Sequence, residues 1–358
     1  MSNGSDRVTV ALSELAATES GNRGRGAYMR IGVFCSGGDA PGMNSCVTAV
    51  VRAANGLGHQ VVGIKRGYQG LLEEDFFINS QGQPVLTLRR ASSWSHVGGA
   101  FLRSSRSDEF RTAEGQQKAA EILNRHQIEG LIAIGGDGTF QGAVALTQYW
   151  DGKIVGCPGT IDNDLLGTDY TIGFSTAVQT AVDAVDKIRD TASSHDRMFL
   201  VEVMGRHSGY IAAYTAIATG ADAVAIPETE TRSKRIVQQM RNLQEQGKNS
   251  TILIVAEGDE RGGAAELIEQ LENENCPYSM RTVVLGHLQR GGTPTPEDRR
   301  RATQMGSAAV HAMMDGKSGV MIGTRDDQIV LTPLPETFAR HRQIPPSVLE
   351  LIEEMMVS

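Results

Sequence analysis

The chain has 358 residues, of which 40% are hydrophobic, and a formal net charge of -8. This length exceeds the size at which a single core usually stops growing, so two domains are expected. The acidic balance argues against binding to nucleic acid or to an anionic membrane, and no apolar run approaches the roughly 18 residues of a membrane span. No secretory signal is recognisable and the cysteines lack metal-ligand spacing, which together predict a cytoplasmic protein with reduced core thiols.

Residues 1–28 are polar and rich in small residues, and we expect them to form a flexible extension. From Arg30 onward, short apolar runs alternate with longer amphipathic segments, a pattern typical of parallel sheets covered by helices. The sequence therefore predicts an α/β fold. The predicted strands, in chain order, are Ile31–Cys35, Val61–Lys65, Leu131–Ile134, Ile154–Cys157, Phe199–Met204, Ala223–Ile226, Ile252–Ala256 and Val283–Leu285.

Turns rich in glycine, aspartate or arginine follow most of these strands. Because open α/β sheets bind ligands at the carboxyl ends of their strands, these turns are the candidate functional segments. They comprise Ser36–Asn44, Gly135–Thr139, Pro158–Asp164, Gly205–Gly209, Glu257–Gly258 and Gly286–Gly292.

The segment Gly135–Thr139 has the composition of a phosphate-binding turn. Its glycines allow backbone N–H groups to approach anionic oxygens, and a helix that begins there adds partial positive charge. Asp137 would repel phosphate, so its presence suggests either Mg²⁺ or a base that acts on a hydroxyl. The same string occurs in NAD kinases, lipid kinases and sugar-phosphate kinases. A purely structural alternative is a tight turn in which Asp137 caps the helix.

A second acidic turn carries Asp162 and Asp164, two residues apart. One carboxylate could deprotonate a substrate hydroxyl while the other binds metal or orients its neighbour. Arg206, beside a glycine at the end of an apolar strand, is the best candidate for a cation that stabilises the transition state, unless it is a solvated surface residue. His287 and Arg290 are spaced to bind one anion, although His287 alone could be structural.

These motifs in combination resemble the bacterial-type 6-phosphofructokinases, from about Arg30 to beyond Thr324. The resemblance also rests on the segment Asp190–His195 and on Met204-Gly205-Arg206. It implies two α/β domains, each with a mainly parallel sheet flanked by helices, and an active site in the cleft between them. The implied division is residues 29–172 with 289–339 for the nucleotide, and 173–288 with 340–358 for the sugar phosphate. The implied reaction is phosphorylation of C1 of fructose 6-phosphate by MgATP.

The resemblance assigns roles to single residues. It makes Asp162 the base, Asp137 the Mg²⁺ ligand, and Thr160 and Arg206 the residues that steady the transferring phosphoryl group. The nucleotide would contact Gly38, Arg106, Ser107, Gly136, Asp137, Gly138 and Thr139. The sugar phosphate would contact Thr160, Asp162, Asp164, Met204, Gly205, Arg206, Glu257, His287 and Arg290.

Three further expectations follow from the resemblance. A homotetramer is expected, in which Arg197 and Arg281 complete the sugar-phosphate site of a neighbouring subunit. Gly138 and Gly159 replace the aspartate and lysine of pyrophosphate-dependent relatives, which favours ATP as the donor. The effector cleft keeps Arg52, Arg189 and Lys248 but has Thr48, Gln246 and Asn249 where cations are common. Anionic effectors should therefore bind more weakly or differently, and the cleft is either a regulatory site or a degenerate one without a regulatory role.

Two alternatives to the ATP-dependent enzyme remain at this stage. The first is a pyrophosphate-dependent enzyme of the same fold, against which Gly138 and Gly159 argue. The second is a non-catalytic regulatory subunit that binds metabolites. Such a subunit would be expected to lack Asp137 or Asp162, and both are present.

Overall fold

Two separate β-sheets organise the chain, and the computed structural model describes residues 28–194, 196–260 and 262–356. The predicted extension up to residue 27 and His195 of the Asp190–His195 motif lie outside the described residues. The strands are β1 (Arg30–Cys35), β2 (Gln60–Gly63), β3 (Gly130–Gly135), β4 (Lys153–Thr160), β5 (Ile172–Gly173), β6 (Arg197–Val203), β7 (Ala223–Ala225), β8 (Thr251–Ala256), β9 (Ser279–Val284), β10 (Val320–Arg325) and β11 (Gln328–Pro333).

Helices connect most of these strands, as expected for parallel sheets. Short 3₁₀ turns lie at Glu109–Arg111 and Gly286–Arg290. The helices are α1 (Met43–Gly56), α2 (Gly67–Leu72), α3 (Leu88–Ser92), α4 (Ala113–Arg125), α5 (Asp137–Leu146), α6 (Phe174–Ala192), α7 (Tyr210–Thr219), α8 (Ser233–Glu245), α9 (Ala264–Asn273), α10 (Pro296–Met314), α11 (Leu334–Thr337) and α12 (Pro346–Met356).

The first sheet has the strand order β11-β10-β4-β3-β1-β2, with β5 paired to β4, and all its pairs are parallel except β10 with β11. The second has the order β7-β8-β6-β9 and is parallel throughout. All residues of the central strands β3 and β8 are buried, which explains why both read as continuous apolar runs.

The carboxyl ends of β1, β3 and β4 lie side by side because these strands are parallel neighbours. The register pairs Cys35 with Ile134, and Gly135 with Pro158. The three glycine-rich turns that follow therefore begin at one edge of the sheet. Beneath them, α1 packs closely on α10, since a Cβ added at Gly306 would lie 2.5 Å from the carbonyl oxygen of Cys46.

The predicted α/β class is confirmed, and each predicted run overlaps one of the strands β1–β4 or β6–β9. The hairpin β10–β11 was not predicted. Most of β11 is exposed, so it lacks the apolar run of a buried strand. Its turn uses Asp326 and Asp327 at φ 48° and 60°, a left-handed conformation for which the usual sequence signal contains glycine.

The cysteines are free, and Cys35, Cys46 and Cys157 are buried while Cys276 is half-buried. Burial raises the pKa of Cys35 to about 12, so this thiol stays protonated and unreactive. This agrees with the prediction of reduced core thiols. Over the described ranges, no helix is long and apolar enough to cross a membrane.

Candidate active site

A cleft of about 660 Å³ opens at the carboxyl edge of the first sheet. The turns after β1, β3 and β4 supply most of its wall, and Arg206 reaches it from the turn after β6 of the second sheet. Most of the predicted site residues line this cleft: Gly38, Arg106, Ser107, Gly136, Asp137, Gly138, Thr139, Gly159, Thr160, Asp162, Asp164, Arg206 and Arg290.

Ser36 and Gly37 of the predicted turn Ser36–Asn44 also line the cleft, together with residues that the motifs did not indicate: Tyr68, Ser105, Phe110, Arg111, Gln116, Gln141, Gly142 and Ala145. Among them, Tyr68 and Phe110 stack with ring centroids 3.9 Å apart, and the Tyr68 hydroxyl donates to the carbonyl oxygen of Thr139 at 2.7 Å. Neither residue lies in one of the predicted turns that follow strands. The stacked pair gives the cleft an apolar wall beside Thr139.

One end of the cleft is built around the first turn of α5. This helix begins at Asp137 with Gly136 as its N-cap, and the Asp137 carboxylate accepts a hydrogen bond from the Gly138 N–H at 2.7 Å. A Cβ added at Gly138 would meet no atom within 4 Å. Arg106 and Arg111 supply positive charge along the same wall. The N-terminus of a helix, an arginine pair and open space suit a polyanionic ligand.

Asp162 is the most perturbed carboxyl group in the cleft. It is 4% exposed, and its Oδ1 has no hydrogen-bond partner within the part of the chain that the structure describes. Its Oδ2 lies 3.9 Å from Nε of Arg206. Burial and then the charge of Asp164 raise the pKa of Asp162 to about 6, against the opposing influence of Arg290 and Arg206. A buried, orphaned oxygen with a raised pKa is suited to accept a substrate proton.

The backbone around Asp162 is fixed by its neighbours. The Asp162 N–H donates to Oγ1 of Thr160 at 3.2 Å, and its carbonyl oxygen accepts from the Ser208 hydroxyl at 2.8 Å. The next residue, Asn163, has a left-handed backbone with φ 52° and accepts a hydrogen bond from the Thr171 N–H. Asparagine is one of the few residues besides glycine that adopt this conformation readily.

Arg206 is held in a second left-handed turn, at φ 54°. Glu257 Oε1 accepts hydrogen bonds from the N–H groups of Gly205 and Arg206 at 3.3 and 2.9 Å. Gly205 has φ 144°, and an added Cβ would lie 2.3 Å from the Ser208 carbonyl oxygen, so only glycine fits there. Glu257 and Gly205 thus hold the turn that carries Arg206, and neither lines the cleft.

The 3₁₀ turn Gly286–Arg290 delivers a second arginine to the cleft. Nη1 of Arg290 donates to the carbonyl oxygen of Asp39 at 3.1 Å, so its guanidinium lies over the turn after β1. The preceding residue, Gln289, is fully buried and accepts from the Met204 N–H at 2.8 Å. His287 is exposed and, like Met204, is not part of the cleft wall.

Arg197 and Arg281 lie outside this cleft. Arg197 begins β6, and Arg281 is exposed on β9, the outermost strand of the second sheet. Two of the predicted effector residues are engaged within the chain: Lys248 pairs with Asp222, and Arg189 donates to the carbonyl oxygen of Thr219 at 2.6 Å.

Within the described ranges, no three His, Cys, Asp or Glu side chains converge as a metal site. Mg²⁺ does not need such a cage, because it is commonly held by one or two carboxylates together with the phosphates of a substrate. Burial and the charge of Asp137 raise the pKa of Asp164, which places both carboxylates in one electrostatic environment. The donor set therefore fits a magnesium ion that arrives with a phosphorylated ligand.

The cleft lies at the strand ends of parallel sheets and contains glycine turns, buried carboxylates and arginines. This combination defines an α/β enzyme for phosphorylated ligands. A family profile described as phosphofructokinase matches residues 30–313. The ATP-dependent 6-phosphofructokinase 1 of Thermus thermophilus is 50% identical over 323 residues, which cover 90% of this chain and 98% of that protein. The ATP-dependent 6-phosphofructokinase 2 of Bacteroides thetaiotaomicron is 43% identical over 332 residues, which cover 93% of this chain and all of that protein.

Solved phosphofructokinase structures have the same fold as this chain. The T-state structure of Pichia pastoris phosphofructokinase matches 92% of this chain with a TM-score of 0.80 and 33% identity, and this chain spans 39% of that one. The pyrophosphate-dependent phosphofructokinase of Marinobacter aquaeolei shares the fold, with a TM-score of 0.77 at 21% identity. The chain belongs to the phosphofructokinase family.

Proposed function

We propose that the chain transfers the γ-phosphoryl group of MgATP to the 1-hydroxyl of fructose 6-phosphate, which gives fructose 1,6-bisphosphate and ADP. The observation that carries this proposal is Asp162, buried in the cleft with a raised pKa and 3.9 Å from Arg206. A base and a cation at this separation can act on the two sides of a phosphoryl transfer. The names of the relatives at 43–50% identity support the same reaction.

The chemistry assigns one step to each side chain. Asp162 accepts the proton of the 1-hydroxyl, that oxygen forms a bond to the γ-phosphorus, and the bond from phosphorus to the bridging oxygen of ADP breaks. Arg206 and Thr160 stabilise the negative charge on the transferring group. With a pKa of about 6, Asp162 is mostly ionised at neutral pH and is a stronger base than an ordinary carboxylate.

The nucleotide would occupy the end of the cleft near α5, with its phosphates against Gly136, Gly138 and Thr139 and beside Arg106. Asp137 would hold Mg²⁺, which when bound neutralises charge on the nucleotide phosphates. The sugar phosphate would lie toward Asp164, Arg206 and Arg290. On this proposal, the first sheet and its helices form the nucleotide domain, and the second sheet forms the sugar-phosphate domain, with the boundaries predicted above.

The homotetramer is part of the same proposal. Strand β9 is the edge of its sheet; its last residue, Val284, is 62% exposed, and Leu288 in the 3₁₀ turn that follows is 70% exposed. Exposed edges with large apolar side chains are usually covered in the assembled protein. A neighbouring subunit on this edge would bring Arg197 and Arg281 to a second cleft, whose sugar phosphate needs more cations than one chain supplies.

Subunit complementation tests the shared site. Chains with Arg281→Ala and chains with Asp162→Ser are each expected to be nearly inactive. Co-expressed, they would form hybrid oligomers in which some sites have Asp162 from one chain and Arg281 from the other, so activity should return. If Arg281 acted within its own chain, every hybrid site would lack one of the two residues and no activity would return.

The primary test is a steady-state assay of fructose 1,6-bisphosphate formation with Mg²⁺, run in parallel with ATP and with pyrophosphate. Formation with ATP alone is the expected result. Formation with pyrophosphate would overturn the donor assignment and leave the base in place. Silence with both donors would refute the proposed reaction and favour a metabolite-binding subunit.

A further inference from the structure

The chain between α11 and α12 crosses the turn of the cleft that carries Asp162 and Asp164. In this segment, residues 339–343, the Arg342 N–H donates to the carbonyl oxygen of Asp164 at 2.8 Å, and Arg342 Nη1 donates to that of Asp169 at 2.7 Å. The guanidinium of Arg342 also lies 4.9 Å above the ring of Tyr210, whose hydroxyl donates to the carbonyl oxygen of Gln343 at 2.8 Å. The segment is therefore bonded to the loop after β4 and to the first residue of α7.

These anchors place His341 beside the acidic turn. Its Nδ1 lies 3.3 Å from Oδ2 of Asp164, and its ring centroid is 6.2 Å from that of His207, the residue after Arg206. His341 therefore lies where the turn with the paired aspartates meets the turn with the transition-state arginine. No motif in the sequence indicates this contact, because His341 is far from both turns along the chain.

Asp164 needs such a partner. Its side chain is 14% exposed, and burial and the charge of Asp137 raise its pKa, while the hydrogen bond and charge of His341 oppose that rise. The charges of Arg206 and Arg290 oppose the rise in the pKa of Asp162. In the described part of the chain, the residue within ion-pair distance of Asp164 is His341. Without His341, repulsion from Asp137 and Asp162 would turn the Asp164 carboxylate away from the cleft.

We propose that His341 is a positioning residue for the sugar-phosphate side of the cleft: through Nδ1 it orients the Asp164 carboxylate, and so ties the segment 339–343 to substrate binding. The inference rests on the proposed function, in which Asp164 contacts the sugar phosphate. Nothing in it requires His341 to touch the substrate.

Two substitutions separate the hydrogen bond from the ring. His341→Phe keeps a planar ring and removes the donor, whereas His341→Asn keeps a donor at a similar distance from the backbone. Arg340→Ala, at the exposed preceding residue, is the matched control. The phenylalanine variant is expected to raise the KM for fructose 6-phosphate about tenfold and to leave the KM for ATP within about twofold, since only one substrate depends on Asp164.

The asparagine variant is expected to recover most of this loss, and Arg340→Ala to behave like the unaltered chain. Direct titration of fructose 6-phosphate into each protein by calorimetry should give the same ranking, which makes the result independent of turnover. Equal KM values for the phenylalanine and asparagine variants, or equal changes for both substrates, would overturn the inference while the unaltered chain remained active. An inactive unaltered chain that binds no fructose 6-phosphate would refute the proposed function, and the inference with it.

Discussion

Replacement of Asp162 by Asn separates the electrostatic cost of the proposed base from its chemical use. Burial and the nearby charge of Asp164 raise the pKa of Asp162 from its ordinary value of 3.8 to about 6. A carboxyl with a higher pKa in the folded state holds its proton more tightly when folded. Its contribution to stability is therefore fully present below about pH 3.8 and is lost as pH rises through about 6.

The magnitude follows from the two pKa values. Each pKa unit corresponds to about 1.4 kcal/mol, so the ionised carboxylate costs about 3 kcal/mol of stability well above pH 6. At pH 5, which lies about midway between the two pKa values, about half of this cost is present. An uncharged Asn avoids the cost of ionisation. Relative to the unaltered chain, Asp162→Asn should thus gain about 1.4 kcal/mol between pH 5 and pH 8.

Denaturant unfolding of both chains at pH 5 and pH 8, at one protein concentration, measures this gain. The comparison between pH values removes the fixed cost of burying an amide, which is the same at both. Turnover of Asp162→Asn should fall by about 10² to 10⁴. As a control, Asp327→Asn should show the same stability difference from the unaltered chain at pH 5 and pH 8, because Arg300 lowers the pKa of Asp327 from its ordinary value of 3.8 and the carboxylate is ionised at both pH values. A stability difference between the unaltered chain and the Asp162→Asn variant that does not change with pH would refute the assigned cost.

Three further outcomes are expected. The kcat/KM for fructose 6-phosphate should fall about tenfold per pH unit below about pH 6 as Asp162 gains its proton; a flat profile from pH 8 to pH 5 would contradict its role as base. Arg206→Ala should lower kcat about 10²- to 10³-fold with a smaller effect on KM, and Arg206→Lys should lose less, as steady-state kinetics can check. Gly138→Asp should lower kcat/KM for ATP about 10²-fold by adding charge to the open space beside α5; an unchanged value would remove Gly138 from donor selection.

The sequence predicted the elements that depend on local chemistry. Strand β3 is buried along its whole length, so it must be a continuous apolar run, and the glycine turn after it must lie at the ligand edge of a parallel sheet. The same reasoning located the turns that carry Asp137 and Asp162. It also singled out Arg206 and Arg290 after strands of the second sheet, and both line the cleft. The resemblance then added Arg106 and Ser107, which line it as well.

Contacts between distant segments were beyond this reasoning. Tyr68 and Phe110 form one wall of the cleft although neither has a motif around it. The pairing of His341 with Asp164 depends on how residues 339–343 cross the sheet edge. Such contacts are decided by packing, since a single aromatic or histidine has no periodicity that could indicate its partner.

The sequence also leaves open which way a side chain at a given position would point, as the two glycines proposed to select the donor illustrate. A Cβ at Gly138 would enter empty space, whereas one at Gly159 would lie 2.8 Å from Cε of Met43 and 3.1 Å from Cγ2 of Ile134. A side chain at Gly159 must first displace a flexible methionine, because β4 directs this position toward apolar neighbours. Exclusion of the nucleotide by aspartate at Gly138 is therefore direct, whereas a lysine at Gly159 would have to bend back from the core to reach the same space.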